Sequence, residues 1–464
     1  MQDINKNELL AFDLGDARLN RRGSWFADLL VRKAYTTIHQ LSSEWKEQLA
    51  CYRFIHNAKV TTVKIISAIT QAITPQIQPE RHYLILQDTT QANFEWNRAQ
   101  IKDPSGLGVI GDHRSLGFYL HPSLVLDAAE EQCLGFSSIK TYLHGCHEPV
   151  KAGKHKQLPI EEKESYRWLE SVQASSAFFD QTNLRTTIQD REGDIYELFA
   201  TLPTPEDHLI VRDDRNVVNL QGEKTKRYAS LSEGPWQGVY SLKIRGDIGQ
   251  NRQAIMQVRW TEVELQPPAR LKKKYPPLKV WAVEACEAGQ TVAEGESPIH
   301  WRLLTTHRVD HFEQACSILY WYCLRWYIET LFRVLKTQGF GVEATQLQEG
   351  QALVKMTLLA LWAALQVMSL LLAASSISMV DQPSDTLFSP QERACLEAIL
   401  PRLEGQTAKL KNPYPPHSLR WAYWIIARLG GWKGYASQRP PGIITLSEGL
   451  KHFQLISFGF DAKT

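Results

Sequence analysis

The sequence predicts an α/β fold: a mixed sheet flanked by helices, interrupted by a β-rich insertion, with helical segments at both ends. Three observations predict it. Apolar runs of strand length, such as Tyr83-Leu84-Ile85-Leu86-Gln87, give way to alternating helix and strand patterns through the centre. A series of strand-like runs then follows with no helix between them. The N-terminal segment mixes basic and apolar positions without strand alternation, and Ser418 to Leu429 reads as an amphipathic helix.

In chain order, residues 1–75 read as a helical domain carrying Arg18, Arg21, Arg22 and Arg53. His82 to Gln87 is the first strand, Ser123 to Leu126 begins a second, and Leu134 to Leu143 is a third. A helix is expected over Pro159 to Val172, a strand over Arg185 to Gln189, and a helix start at Asp194 to Ala200. The insertion, at about 205–308, holds strands at His208 to Arg212, Val239 to Arg245, Ala254 to Leu265, Leu278 to Ala285 and His300 to Thr306. The Pro276-Pro277 pair marks a turn between two of them. From His311 to about Ser375 the chain reads as helix, broken at Gly339 and Gly341. This closes a central domain over 76–375. In the C-terminal part, 376–464, the stretch from Ser376 to Asn412 reads as looser, interrupted by Pro383 and Pro390 in its first half and Pro401 in its second, and Gly430-Gly431 is expected to end the final helix.

The chain has 464 residues, 43% apolar and 22% charged, with a net charge of +2. These are ordinary globular values, and the whole-chain charge does not mark a nucleic-acid binder. Its distribution says more. From Pro401 onward nine Lys or Arg face three Asp or Glu, a local net of +6. Seven scattered cysteines without a C-x-x-C fit a reducing cytoplasm. The cluster His144-Gly145-Cys146-His147 suggests zinc, but no second ligand cluster at suitable spacing accompanies it. The N-terminus has no apolar signal region. Met356 to Ala374 is apolar over about the length of a spanning helix, and is read here as a buried core helix.

Three carboxylates stand out. Asp88 and Asp190 each close an apolar strand, where a carboxylate is otherwise costly. Glu329 shares a helical stripe with Tyr322, Arg325 and Lys336, whose offsets place all four within roughly 60° of one another. Two acids at strand ends and one on a distant helix suit a pair of divalent cations, which clamp the attacking and leaving oxygens of a phosphodiester exchange. Metal-dependent cutting and joining of nucleic acid is the chemistry this pattern points to. The competing reading of the stripe is a surface helix with i,i+4 ion pairs.

Tyr322-x-x-Arg325-x-x-x-Glu329-x-x-x-x-x-x-Lys336 resembles the Y-R-E-K signature of the IS-four group of DDE transposases. Gln87-Asp88-Thr89-Thr90 and Asp190-Arg191-Glu192-Gly193-Asp194 resemble that family's two acidic motifs. Glu162-Lys163-Glu164-Ser165, Trp168 and the Ser418 to Gly431 segment extend the likeness. The resemblance implies an RNase H-like catalytic domain and a cut-and-paste transposase. Asp88, Asp190 and Glu329 would bind Mg²⁺, with Mn²⁺ substituting. It implies that Tyr322, Arg325, Lys336 and Arg212 contact DNA, that Trp301 receives a base flipped during hairpin formation, and that Trp326 lies near the centre. Arg18, Arg21, Arg22 and Arg53 would read the transposon end, although Leu19 stands where the family has a second Arg. The implied partners are transposon-end and target double-stranded DNA and a second copy in a synaptic homodimer, with no membrane. The implied location is a prokaryotic cytoplasm, on the nucleoid.

Two alternatives stay open on the sequence. One is an RNase H-like metal-dependent nuclease that never joins strands. The other is a non-catalytic DNA-binding derivative of a transposase.

Overall fold

The computed structural model describes residues 10–111, 114–143, 158–213, 218–220, 223–225, 231, 234–245, 251–336, 339–375, 383–435 and 440–461. The His144 to His147 cluster, and Arg439 and Lys463 of the basic C-terminal region, lie outside the described residues.

The N-terminal segment folds as helices α1 (Ala17–Lys33), α2 (Ile38–Leu41), α3 (Trp45–Ile55) and α4 (Thr62–Gln71). Asp16 caps α1 by accepting from the Arg18 and Leu19 amides, satisfying two of the orphan donors at a helix start. Phe26, Phe54 and Ile65 are fully buried between these helices, which explains the absence of strand alternation.

The central region then lays down β1 (His82–Gln87), β2 (Thr90–Asn93), β3 (Gly108–Val109), β4 (Leu116–Asp127) and β5 (Cys133–Tyr142). Helix α5 (Tyr166–Ser176), β6 (Leu184–Gln189), α6 (Tyr196–Thr201) and β7 (Asp207–Arg212) follow. A short hairpin of β8 (Val218–Leu220) and β9 (Glu223–Thr225) precedes β10 (Gly238–Arg245), β11 (Asn251–Leu265), β12 (Leu278–Glu287) and β13 (His300–Thr305). All but the hairpin join one mixed sheet, ordered β10-β11-β12-β13-β7-β6-β1-β4-β2, with β3 and β5 also on β4. The insertion strands therefore extend the central sheet: β13 pairs antiparallel with β7, which pairs parallel with β6. Period-two alternation assigns the faces. Leu84 and Leu86 of β1 enter the main core, while Tyr83 and Ile85 pack with Val125 and Phe179 on the other side. This is the RNase H-like mixed sheet flanked by helices.

The expected helix from His311 to Ser375 is three helices: α7 (Phe312–Cys323), α8 (Trp326–Leu335) and α9 (Gly350–Ser375). The break at Leu324 and Arg325 carries neither Gly nor Pro. Both residues keep right-handed backbone angles, and the join is tightened by i→i−3 bonds such as Arg325 N to Tyr322 O, 3.1 Å. The four-residue stripe of one continuous helix is thus corrected to a stripe bent over two helices. Among the described residues α9 is the one helix long and apolar enough to cross a membrane. Its apolar window is 89% buried, packed against α1, α4 and α8, as a core helix should be.

Helices α10 (Pro390–Leu403), α11 (Leu419–Leu429) and α12 (Ile443–Asp461) complete the chain. Two expectations fail here. Pro390 opens α10 instead of interrupting it, since its missing N–H is an orphan there, and Ser389 with Glu392 forms a capping box. Pro401 sits in the last turn of the same helix, where it removes one i→i−4 bond and the helix ends two residues later.

Candidate active site

The two strand-end acids meet because of register. In the parallel pair β1–β6, His82 aligns with Leu184 and Leu86 with Ile188. Continued by two residues, that register sets Asp88 beside Asp190. One residue below, Gln189 Nε2 donates to Gln87 Oε1 at 2.7 Å, and Gln87 Nε2 donates to Ser123 Oγ at 3.0 Å. These buried amides form a hydrogen-bonded chain that locks the strand ends in step.

The bent stripe brings the third acid. Arg325, at the α7–α8 join, donates from Nη1 to Asp88 Oδ2 at 3.0 Å. Its Nη2 donates to Glu329 Oε1 and lies 3.8 Å from Asp190 Oδ2. A single guanidinium, 12% exposed, therefore faces all three carboxylates. Burial works against its charge, but Tyr322 and the three acids outweigh it and hold Arg325 above its usual range. Burial pushes Asp88 up to about 6, against the opposing pull of Arg325 and of the Thr89 amide, which donates to Asp88 Oδ1 at 2.8 Å. The buried Tyr322 hydroxyl donates to Asp190 Oδ1 at 3.3 Å. Burial and the Asp190 charge raise that phenol to about 12.

The other expected site residues separate into three groups. Arg212 closes β7, level with Asp190 by the register that pairs Gln189 with Val211, and its charge reaches the Tyr322 phenol. Lys336 caps the far end of α8 and pairs with Glu343 at 3.2 Å, away from the carboxylates. Glu343 Oε1 also accepts from the Asn93 amide at 2.9 Å, tying that end of α8 to β2. Trp301 lies on β13, half-buried against the main core. Trp326 begins α8, is 38% exposed, and meets Tyr327 edge to face at 4.4 Å. Arg18, Arg21 and Arg53 are exposed and Arg22 half-buried, all on α1 and α3 of the N-terminal helices.

Sequence reasoning passed over Arg167 on α5. Its Nε donates to Thr89 Oγ1 at 3.3 Å and its Nη2 to Glu192 Oε2 at 2.5 Å. An Arg inside a charged helix start gives no signal by itself. The Glu343 partnership is equally invisible in sequence.

The donor set can be weighed against a divalent cation. Carboxylate oxygens are the hard ligands that Mg²⁺ and Mn²⁺ prefer. Asp88, Asp190 and Glu329 already turn toward one positive group, so they fit such an ion in kind. Among the described residues no three His, Cys, Asp or Glu side chains stand close enough to share one ion. A cation held by all three would take over the contacts that Arg325 makes.

Residues 1–60 match the family model for a transposase DNA-binding domain, and residues 164–366 match that for a transposase DDE domain. The first span holds Arg18, Arg21, Arg22 and Arg53. The second holds Asp190, Glu329, Arg212, Trp301 and the bent stripe, while Asp88 lies before it. DDE domains are generally dependent on divalent metal. With both domains matched on one chain, around carboxylates gathered at the ends of adjacent parallel strands, the protein takes its place in a DDE transposase family.

Proposed function

We propose that this DNA transposase works by cut-and-paste, as a member of the IS-four group similar to the Tn-five transposase. The observation that carries the reading is the convergence of Asp88, Asp190 and Glu329 on Arg325. Those three residues would hold Mg²⁺, with Mn²⁺ as substitute. When bound, the metal supplies a polarised phosphate and an activated attacking oxygen.

The chain's own residues do the rest. Arg325, Arg212 and Lys336 neutralise phosphates around the scissile bond, and Tyr322 holds Asp190 in place. A water oxygen attacks phosphorus at the transposon end and the P–O3′ bond breaks, leaving a free 3′-OH. That hydroxyl attacks the phosphorus joining the opposite strand to flanking DNA, whose 3′ oxygen leaves as a hydroxyl, and the resulting hairpin is reopened by water. The regenerated 3′-OH then attacks a phosphorus of target DNA, displacing the target's own 3′ oxygen. Trp301 stacks on a base flipped out during the hairpin step, and Trp326 lines the same region. Stacking on an aromatic face partly offsets the few kcal/mol that unstacking costs. Arg18, Arg21, Arg22 and Arg53 contact the transposon end, and two copies pair in a synaptic homodimer on prokaryotic DNA.

The test is cleavage of a plasmid carrying the native element with both ends, in Mg²⁺, comparing wild type with Glu329→Gln. Excised linear element and hairpin intermediates from wild type alone would support the reading. Nicking without excision would favour a nuclease that does not join strands. End binding without cutting would favour a non-catalytic DNA-binding derivative.

A further inference from the structure

We propose that Arg167 is a positioning residue that sets the separation of Asp88 and Asp190 by bracing the two loops that follow them. The inference rests on the reading of those acids as a metal-binding pair.

Arg167 touches neither carboxylate. It is 9% exposed and projects from α5 into the space between the two loops. Its Nε donates to Thr89, the residue after Asp88, at 3.3 Å. Its Nη2 donates to Glu192, two residues after Asp190, at 2.5 Å. Its Nη1 donates back to Glu164, to the backbone oxygen at 3.0 Å and to Oε1 at 3.3 Å, which ties the fork to the residues just before its own helix. The guanidinium also stacks on Tyr142 and Trp168, with centroids at 5.4 and 5.5 Å. One rigid plane therefore spans both acidic loops and is itself clamped from two sides.

Each strut leads to a catalytic acid. The Thr89 amide donates to Asp88 Oδ1 at 2.8 Å, so a shift of Thr89 turns that carboxylate. Thr89 Oγ1 accepts from Arg167 and shares a second hydrogen bond with His121 Nδ1, 2.9 Å away. His121 is fully buried, and burial with the Arg167 charge holds its imidazole below the usual range. On the other side Glu192 lies in the single turn Arg191–Gly193 that directly follows Asp190. The contrast with Arg325 is functional. Arg325 makes the contacts a cation would take over, whereas Arg167 keeps its contacts whether or not a cation is bound.

The test uses the full-length chain and three variants, Arg167→Gln, Arg167→Lys and Glu192→Gln. The last changes a side chain that is 66% exposed, so it leaves folding intact. Hydrogen exchange without metal should be about tenfold faster over residues 88–93 and 190–194 in Arg167→Gln, with the rest of α5 protected. In Glu192→Gln only the second segment should loosen. Mn²⁺ titration followed by electron paramagnetic resonance should show affinity lowered roughly ten- to a hundredfold in Arg167→Gln, as for other residues that orient metal ligands. Arg167→Lys should recover part of the loss, because an ammonium reaches one loop at a time. Affinity for end DNA should stay within about twofold of wild type, with an unchanged salt slope. Unchanged exchange in both loops, or unchanged Mn²⁺ affinity in Arg167→Gln, would overturn the proposal. So would a lower salt slope, which would make Arg167 a phosphate contact. If wild type itself binds no Mn²⁺, the reading of the acids fails, and the loop exchange still decides whether Arg167 is a brace.

Discussion

Arg325 and Asp88 form a 3.0 Å ion pair at the point where β1 ends, joining two residues 237 positions apart. The same guanidinium faces Asp190 and Glu329, so three acids are compensated by one cation from the chain itself. Without metal, Arg325→Met should leave them repelling one another. The expected loss is about 2 kcal/mol of stability, on the scale of a hydrogen bond to a charged group. Saturating Mg²⁺ should restore much of it. Denaturant unfolding with and without Mg²⁺ checks this, and a variant as stable as wild type without metal would refute the compensating role.

Asp88 titrates at about 6, above its ordinary 3.8, chiefly because it is buried. Between those values the folded chain holds a proton that the unfolded chain has released. Metal-free stability should therefore fall as pH rises through this window, and Asp88→Asn should flatten that fall. Metal binding must expel the same proton, so the Mg²⁺ needed for half-maximal cleavage should climb as pH drops below about 6. A requirement independent of pH across that range would argue against Asp88 as a ligand.

Lys336 is engaged with Glu343, and both are partly exposed. Breaking this pair should change stability by less than about 1 kcal/mol. If Lys336 meets a phosphate on DNA binding, Lys336→Ala should lower the slope of log K against log salt by roughly 0.9. Glu343→Gln, which removes the competitor, should tighten binding. An unaltered slope would leave Lys336 a helix-end residue only.

Trp301 is half-buried, so its removal mixes packing with any role in base stacking. Trp301→Phe keeps most of the packing. It should slow hairpin formation less than Trp301→Ala, and both should spare first-strand nicking. Equal slowing of nicking and hairpin formation, followed on denaturing gels, would return Trp301 to a purely structural role.

Leu361 of α9 is fully buried. Leu361→Ala should cost about 3 kcal/mol, the usual range for an emptied core site. A change below 1 kcal/mol would contradict the burial of this apolar helix inside the fold.

Much of this was legible in the chain. Asp88 and Asp190 announced themselves because a carboxylate at the end of an apolar run needs a reason. Helical offset joined Tyr322, Arg325 and Glu329, and the offset survived the bend at Leu324 because right-handed backbone angles continue through it. What sequence withheld was non-local. Nothing in either strand states that β1 and β6 pair in parallel, yet that pairing sets the acids side by side. The bend has no Gly or Pro to mark it. Helix α12 passed unnoticed because exposed Ile444, Leu455 and Ile456 blur its apolar stripe. Arg167 looked like any helix-surface arginine until the fold closed around it.

The pairing of β13 with β7 bears on any attempt to shorten this protein. Cutting out β8 to β13 would strip β7 of its neighbour and turn an interior strand into a raw border. Unpaired N–H and C=O groups would then line a hydrophobic strand, Leu209, Ile210 and Val211, and invite stacking with other chains. A miniaturised enzyme would have to retain β13, or carry a charged or proline-bearing substitute along that border, to stay in solution.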